Sequence, residues 1–217
     1  MTIPGSRFAF LLLCIQVFVT QAAADESTLK WAKDKLVSKL AGGFPADEDV
    51  FAAYTVFANS ECGGVLITKN MVLTAASCVQ SGHPDTVRIG AFNRTGGTEV
   101  GVRCAKSHPL YVWPGFQYDI AVLKLEEDVT TVKTPTLNAD LSYPGQVGQD
   151  LILAGMGRNS TSGFVSDKLE QIRYQFVSED ECKFLYGDKI TRGLHICAYG
   201  LGEGGKPAIS FLISFDK

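Results

Sequence analysis

The chain has 217 residues, 46% of them hydrophobic, and a nearly balanced charge of 20 basic against 23 acidic residues. This length suits a single all-β domain, because β-barrels and sandwiches of about 200 to 250 residues commonly fold as one unit. No cluster of lysine and arginine stands out, which argues against nucleic acid and against an anionic membrane as partners. We expect neither a cofactor nor a bound metal.

The N-terminus has the three-part layout of a secretory signal peptide. Arg7 precedes an apolar run from Phe8 to Val19, and the small residues Ala22–Ala24 follow it. Residues 1–24 are therefore predicted to be removed by cleavage after Ala24. The apolar run is too short for a membrane-spanning helix, which takes about twenty residues, so the mature protein is expected to be soluble and extracellular.

The cysteines left after signal removal are odd in number. Cys14 leaves with the signal, and the remaining five are Cys62, Cys78, Cys104, Cys182 and Cys197. Secretion makes disulfides possible, and an odd count leaves at least one thiol without a partner in the same chain.

Residues 25–39 are charged, with only scattered apolar side chains, and are predicted to be a pro-segment or linker, either flexible or forming a short helix.

A β-hairpin is predicted further on, in the stretch Glu61–Cys78, which reads ECGGVLITKNMVLTAASC. Apolar runs at Val65–Ile67 and Met71–Leu73 flank the turn-forming residues Thr68–Asn70. The hairpin therefore carries a cysteine near each end.

This hairpin resembles the first disulfide-bonded hairpin of trypsin-like serine proteases. In that family the residue before the second cysteine, in an LTAAHC motif, is the histidine that acts as general base. Ser77 occupies that position here. Imidazole titrates near neutral pH, whereas a serine hydroxyl has no useful proton affinity there. Ser77 cannot act as the base.

The resemblance also implies the disulfides and the domain limits. It pairs Cys62 with Cys78 and Cys182 with Cys197, each closing a loop that contributes about 3 kcal/mol in the chain-entropy model. Cys104 is then unpaired: it is buried and inert, has lost an intramolecular partner, or bonds another chain, and the lost partner is favoured. The trypsin-like domain would cover residues 40–217. The residues Lys39–Gly43 resemble an activation cleavage site. An ordinary linker is an equal alternative, because the usual Ile-Val-Gly-Gly is absent and so is the aspartate that receives the new amino group in the family.

Short strand-like runs at Phe51–Phe57 and Val87–Gly90 alternate with Gly, Asn and Thr clusters, as in a small antiparallel barrel. The resemblance implies an all-β, chymotrypsin-like double antiparallel β-barrel whose second barrel is truncated at its C-terminal end. His83 is interpreted as a solvent-facing loop residue. His108 lies in a His-Pro-x-Tyr loop that is structural in the family.

The stretch Tyr118–Leu125, YDIAVLKL, resembles the family's DIALLKL strand, whose aspartate orients the catalytic histidine. Asp119 is thus retained although its partner is missing. A buried carboxylate without a partner is costly. We therefore expect Asp119 to accept hydrogen bonds from Ser77, backbone amides or water.

The second half of the chain shows a crossing connection and three further elements. Thr134–Gly145 is predicted to connect the barrels, and Leu151–Gly157 to be a strand with Met156 where the family has tryptophan. Strict alternation over Gln171–Phe176 predicts a half-buried strand. Ser178–Glu181 has a capping-box pattern, which predicts the start of a short helix.

The resemblance ends after His195–Ala198, the strand that closes the second disulfide. The family continues into Gly-Asp-Ser-Gly-Gly-Pro, which holds the nucleophile and the oxyanion-hole amides. Here residues 202–211 read GEGGKPAISF, and the tail 206–217 contains Ser210 and Ser214 without the flanking glycines that an oxyanion hole needs. We expect no catalytic residue and a second barrel open along an edge.

Two sequons, at Asn93 and Asn159, lie in stretches rich in Gly, Ser and Thr and are predicted glycosylation sites. The aromatic residues Tyr111, Trp113 and Phe116 share a loop. They are candidate interface anchors, but packing under the loop is the favoured expectation.

The stretches Glu61–Val79, Tyr118–Val129 and Ile152–Cys182 resemble the glucanase inhibitor proteins secreted by oomycete plant pathogens. Membership would imply an inactive protease homologue that binds host plant endo-β-1,3-glucanases in the apoplast and suppresses release of defence-eliciting glucan fragments. One alternative is a trypsin-like endopeptidase whose sequence is wrongly assigned after Gly205. Another is a truncated remnant that does not fold stably and has no activity.

Overall fold

A computed structural model describes residues 43–57, 62–115, 117–138, 144–156, 166–201 and 207–212. The predicted signal peptide and pro-segment, Lys39, Phe116, Asn159 and Ser214 lie outside these residues. The strands are β1 (Phe44–Pro45), β2 (Tyr54–Phe57), β3 (Gly63–Thr68), β4 (Met71–Thr74), β5 (Thr86–Ile89), β6 (Thr98–Ser107), β7 (Ala121–Leu125), β8 (Asp150–Gly155), β9 (Glu170–Val177), β10 (Ile196–Leu201) and β11 (Pro207–Leu212).

Six strands close into an antiparallel barrel in the order β2-β3-β4-β7-β6-β5. The predicted hairpin is present as β3 and β4, with Leu66 opposite Val72 across the ladder. Both side chains are fully buried, because alternate residues of each strand point into the barrel. The barrel core comprises Ala53, Phe57, Leu66, Val72, Ala76, Val79, Val87, Ile89, Val100, Val102, Ala121, Leu123, Leu125 and Val129.

The Gly-Gly pair at the start of β3 has a packing role. A Cβ atom on Gly64 would lie 2.6 Å from the carbonyl oxygen of Leu73 on the neighbouring strand. Such a contact is far shorter than van der Waals distance, so only glycine lets β3 and β4 approach this closely.

One predicted strand is shorter than expected. The run Phe51–Phe57 forms a strand only from Tyr54 onward. The Phe51 amide donates to the Asp47 carbonyl at 2.9 Å, and the Tyr54 amide donates to the Phe51 carbonyl at 2.9 Å. These turn hydrogen bonds take the place of ladder bonds in the first three residues.

The second region is a sheet with the strand order β1-β9-β10-β11, in which β8 also pairs with β9. The predicted alternation in β9 is confirmed: Ile172 and Tyr174 are 1% and 0% exposed, whereas Arg173 is exposed. Among the described residues this sheet does not close into a barrel.

A single α-helix in the described ranges, α1 (Glu179–Tyr186), follows β9. The Ser178 hydroxyl accepts a hydrogen bond from the Glu181 amide at 3.2 Å, which confirms the predicted helix start. Two disulfides join Cys62 to Cys78 and Cys182 to Cys197, so the second ties α1 to β10. In the described part of the chain, no helix combines the length and hydropathy needed to cross a membrane.

Candidate functional site

Ser77 sits in a short 3-10 helix, Ala76–Cys78, that follows β4. Its two neighbours hold it in place. Ala76 is fully buried in the barrel core, and Cys78 is joined to Cys62 by the first disulfide. The position of the Ser77 side chain is therefore determined by the rigid end of the hairpin.

Asp119 comes to the same place from the start of β7. The pairing of Thr74 with Ala121 aligns the end of β4 with the beginning of β7. Tyr118 has a φ of 56°, a left-handed conformation that is uncommon for residues other than glycine, and it turns the chain just before Asp119. Its ring stacks on that of His108, with centroids 4.8 Å apart.

The two residues make a pair of hydrogen bonds. The Ser77 amide donates to Asp119 Oδ1 at 2.6 Å, and the Ser77 hydroxyl donates to Asp119 Oδ2 at 2.9 Å. The expected Ser77–Asp119 hydrogen bond is confirmed. Both carboxylate oxygens thus accept hydrogen bonds from one residue, which offsets the cost of half-burying the charge.

Tyr111 completes this cluster. Its hydroxyl is buried and its ring packs against the barrel core. The pKa of Tyr111 is raised, first by burial of the hydroxyl and then by the nearby Asp119 charge, and the proximity of Ser77 offsets part of that rise. Within the described residues the buried hydroxyl has no hydrogen-bond partner. The sequence alone does not associate Tyr111 with this pair, because only the folded loop brings the three residues together.

The cluster contains no imidazole, the side chain that most often acts as general base. Ser77 would have to replace an imidazole, and Tyr111 resists ionisation. His108 stacks on Tyr118, the residue before Asp119, and its Nδ1 accepts a hydrogen bond from the Leu110 amide at 3.2 Å. The other two histidines lie elsewhere. His83 is exposed and has Nδ1 2.9 Å from the Pro84 carbonyl oxygen, and His195 is buried and accepts from the Thr191 amide at 3.1 Å. The Ser77–Asp119 pair is joined by the two hydrogen bonds given above.

The serines of the C-terminal stretch do not form a nucleophile turn in the described residues. Ser210 lies within β11 and is paired with Ala198 of β10 in a regular antiparallel ladder. A catalytic serine needs a tight turn whose backbone amides converge on the developing oxyanion. A residue in the middle of a regular strand lies in no such turn.

Cys104 is exposed on β6, opposite Lys124 of β7. This exposure contradicts the alternative of a buried, inert thiol, which was not the favoured one. An exposed thiol is consistent both with the loss of an intramolecular partner and with a bond to another chain.

Asn93 is also exposed, and its Oδ1 accepts hydrogen bonds from the Thr95 amide and hydroxyl at 3.1 and 3.2 Å. This leaves the sequon accessible, as its predicted glycosylation requires.

Two of the aromatic residues in the 108–118 loop differ in their surroundings. Tyr111 packs against the core, as favoured, whereas Trp113 is 58% exposed, so the packing expectation is wrong for that residue.

Comparisons with known proteins agree with this geometry. The family model described as Trypsin matches residues 40–209. Trypsin iota of Drosophila melanogaster is 32% identical over 168 residues, which cover 71% of this chain and 66% of that protein. Trypsin 5G1 of Aedes aegypti is 32% identical over 190 residues, covering 81% of this chain and 69% of that protein. Hypodermin-A of Hypoderma lineatum is matched over 58% of its length, so the chain spans only part of these relatives.

The structure of neuropsin from mouse brain superimposes with a TM-score of 0.66, covering 80% of this chain and 82% of that one at 23% identity. At this identity the likeness concerns the fold, which is chymotrypsin-like. The family match and the trypsin relatives go further, and the chain belongs to the trypsin family.

Proposed function

We propose that this protein is a secreted, catalytically silent member of the trypsin family that binds and inhibits host plant endo-β-1,3-glucanases. One observation carries the proposal. Ser77 stands at the position of the general base and holds both oxygens of Asp119, the residue that would orient that base. With Ser77 at that position, the site lacks the imidazole that acts as general base in the family.

The expected loss of catalysis is large. Removing the histidine of a Ser-His-Asp triad lowers turnover by about a millionfold, because serine is not deprotonated without it. A binding function does not need that step. The residues that shape the fold remain, including the hairpin β3–β4 with its disulfide and the closed barrel.

The extracellular setting has two supports. Residues 1–24 have the composition of a secretory signal, and the two disulfides belong to an oxidising compartment. The glucanase as partner is supported by the resemblance of the stretches Glu61–Val79, Tyr118–Val129 and Ile152–Cys182 to glucanase inhibitor proteins. The host apoplast is where such an inhibitor would meet its target.

Catalytic silence is tested by labelling the purified mature protein with a serine-directed fluorophosphonate and measuring peptide-bond hydrolysis. Neither signal is expected. The variant Ser77→His should also be inactive if residues after Cys197 provide no nucleophile. Hydrolysis by the wild-type protein would overturn the proposal and favour the alternative of a trypsin-like endopeptidase.

Glucanase inhibition is tested with a purified plant endo-β-1,3-glucanase and a soluble β-1,3-glucan substrate. Release of reducing sugar should fall as micromolar protein is added. Protein with reduced and alkylated disulfides serves as the control for nonspecific effects. Unchanged glucanase activity, together with no binding at micromolar concentrations, would contradict the proposed partner.

A further inference from the structure

The loop between β6 and β7 exposes an apolar tip. Leu110, Val112 and Trp113 are 58%, 73% and 58% exposed, and they lie within four residues of one another. The other exposed large hydrophobic residues in the described ranges are far apart along the chain, although Val50 and Ile152 line one cavity: Phe44, Val50, Leu137, Val147, Ile152 and Phe184. Clustered apolar exposure of this kind is typical of a recognition surface.

Hydrogen bonds hold the base of the loop. The His108 amide donates to the Ile120 carbonyl at 2.9 Å and the Tyr111 amide to the His108 carbonyl at 3.0 Å. The Leu110 amide donates to His108 Nδ1 at 3.2 Å. The Gly115 amide donates to the Val112 carbonyl at 2.7 Å. The exposed side chains therefore project from a preorganised turn, which lowers the entropy lost on binding.

Tyr111 connects this tip to the inactive site. Its ring packs against the barrel core and its hydroxyl lies by Ser77 and Asp119, so the residue between Leu110 and Val112 anchors the loop. On the other side, Gln117 Nε2 in the side-chain amide donates to the Thr191 hydroxyl at 2.8 Å, which links the loop to the second region. The loop is thus anchored to the barrel through Tyr111 and its neighbours Ser77 and Asp119.

The loop is free of charge. Residues 108–118 read HPLYVWPGFQY and contain no Asp, Glu, Lys or Arg. A surface that docks on an anionic membrane carries lysine or arginine among its apolar residues. An uncharged tip with an exposed indole instead suits a cleft made for an uncharged ligand.

We propose that this tip, Leu110 to Trp113, inserts into the polysaccharide cleft of the glucanase, with the Trp113 indole in the place of a sugar ring. The inference rests on the proposed function. An endo-acting enzyme must bind the middle of a long chain, so its cleft is an open groove. Ligand sites are lined mostly by apolar and aromatic side chains, which suits an exposed indole. Away from the two catalytic carboxylates of such an enzyme, a groove for a neutral glucan accommodates an uncharged occupant. Inhibition would then be competitive with glucan.

The test compares wild type, Trp113→Ala and Val112→Ser with the control Phe184→Ala, whose side chain is 77% exposed on α1. We expect each loop variant to raise the inhibition constant at least tenfold and the control to change it less than twofold. Wild type should raise the glucanase KM and leave kcat unchanged, and a β-1,3-gluco-oligosaccharide should displace it. Equal urea midpoints for all four proteins verify that each is folded.

The outcomes separate the two proposals. If wild type inhibits and the loop variants inhibit equally well, or if inhibition lowers kcat without changing KM, the loop inference fails and the proposed function stands. If wild type neither binds nor inhibits the glucanase, both fail.

Discussion

The first barrel and the second sheet differ in whether their edge strands are hydrogen-bonded to one another. The barrel closes on itself, which removes free strand edges, and one continuous cluster fills it. The second sheet is open among the described residues, and its buried apolar residues fall into smaller groups, one beneath α1 and one against β8. The barrel should therefore provide most of the cooperative stability of the described structure.

The residues of the candidate site and of the proposed binding loop lie in the barrel, which is expected to be the more stable region. Ser77, Asp119 and the loop that carries Trp113 all belong to the barrel or to its connections. The two regions meet where Val56 and Met156 pack in a shared cluster and the Arg94 side chain donates to the Met156 carbonyl at 2.9 Å. Recognition through the loop should tolerate damage to the second sheet better than damage to the barrel.

The largest expected effect comes from a cavity in the barrel. Leu123 is fully buried, and Leu123→Ala should lower the free energy of unfolding by about 3 to 4 kcal/mol, because transfer energy is lost and a void remains. Urea denaturation followed by circular dichroism measures this. Val112→Ala, at a 73% exposed position, is the matched control and should change stability by less than about 0.5 kcal/mol. Equal effects of the two substitutions would contradict the central role of the barrel.

Removing the second disulfide should affect the two regions unequally. The double variant Cys182→Ser/Cys197→Ser loses a cross-link that spans 15 residues and contributes about 3 kcal/mol. Amide exchange should accelerate in β9 and β10, while β3, β4 and β7 keep their protection. The corresponding Cys62→Ser/Cys78→Ser variant should show the opposite pattern. Uniform loss of protection in both variants would mean that the two regions unfold together.

The sequence was sufficient for features set by local pattern. Alternation predicted β9, and Ser178 predicted the helix that follows it. In both cases neighbours along the chain decide the outcome. The place of Ser77 came instead from the resemblance of the hairpin Glu61–Cys78 to that of trypsin-like proteases.

Features that depend on tertiary packing were less predictable. The start of β2 was missed because turn hydrogen bonds at Phe51 replace ladder bonds. Tyr111 and Trp113 are two residues apart in one loop, yet one packs against the core and the other is exposed. Composition does not distinguish them, because the direction of each side chain follows from how the loop is folded over Ser77 and Asp119.

A smaller effect is expected at the Ser77–Asp119 pair itself. Ser77→Ala removes the hydroxyl bond to Oδ2 and leaves the amide bond to Oδ1. The cost should be about 1 to 2 kcal/mol, since a hydrogen bond to a charged group is lost and one carboxylate oxygen must find another donor. Adding Asp119→Asn in a double-mutant cycle isolates the coupling between the two side chains. No coupling would mean that the pair does not stabilise the site.

The smallest effect concerns alkaline pH. Burial and the Asp119 charge raise the pKa of Tyr111 above its unfolded value of about 10, so the folded state holds this proton more tightly than the unfolded chain does. The resulting stability is fully present below about pH 10 and is lost as the pH rises through the folded pKa. Tyr111→Phe removes the ionisable group, and its urea midpoint should therefore fall less steeply above pH 10 than that of wild type. Asp119→Asn should also reduce the slope by removing the repulsive charge, whereas Trp113→Phe, with no ionisable group, should leave it unchanged. A Tyr111→Phe slope identical to wild type would show that the tyrosine hydroxyl is not buried against the carboxylate, and the loop would lose its anchor at the Ser77–Asp119 pair.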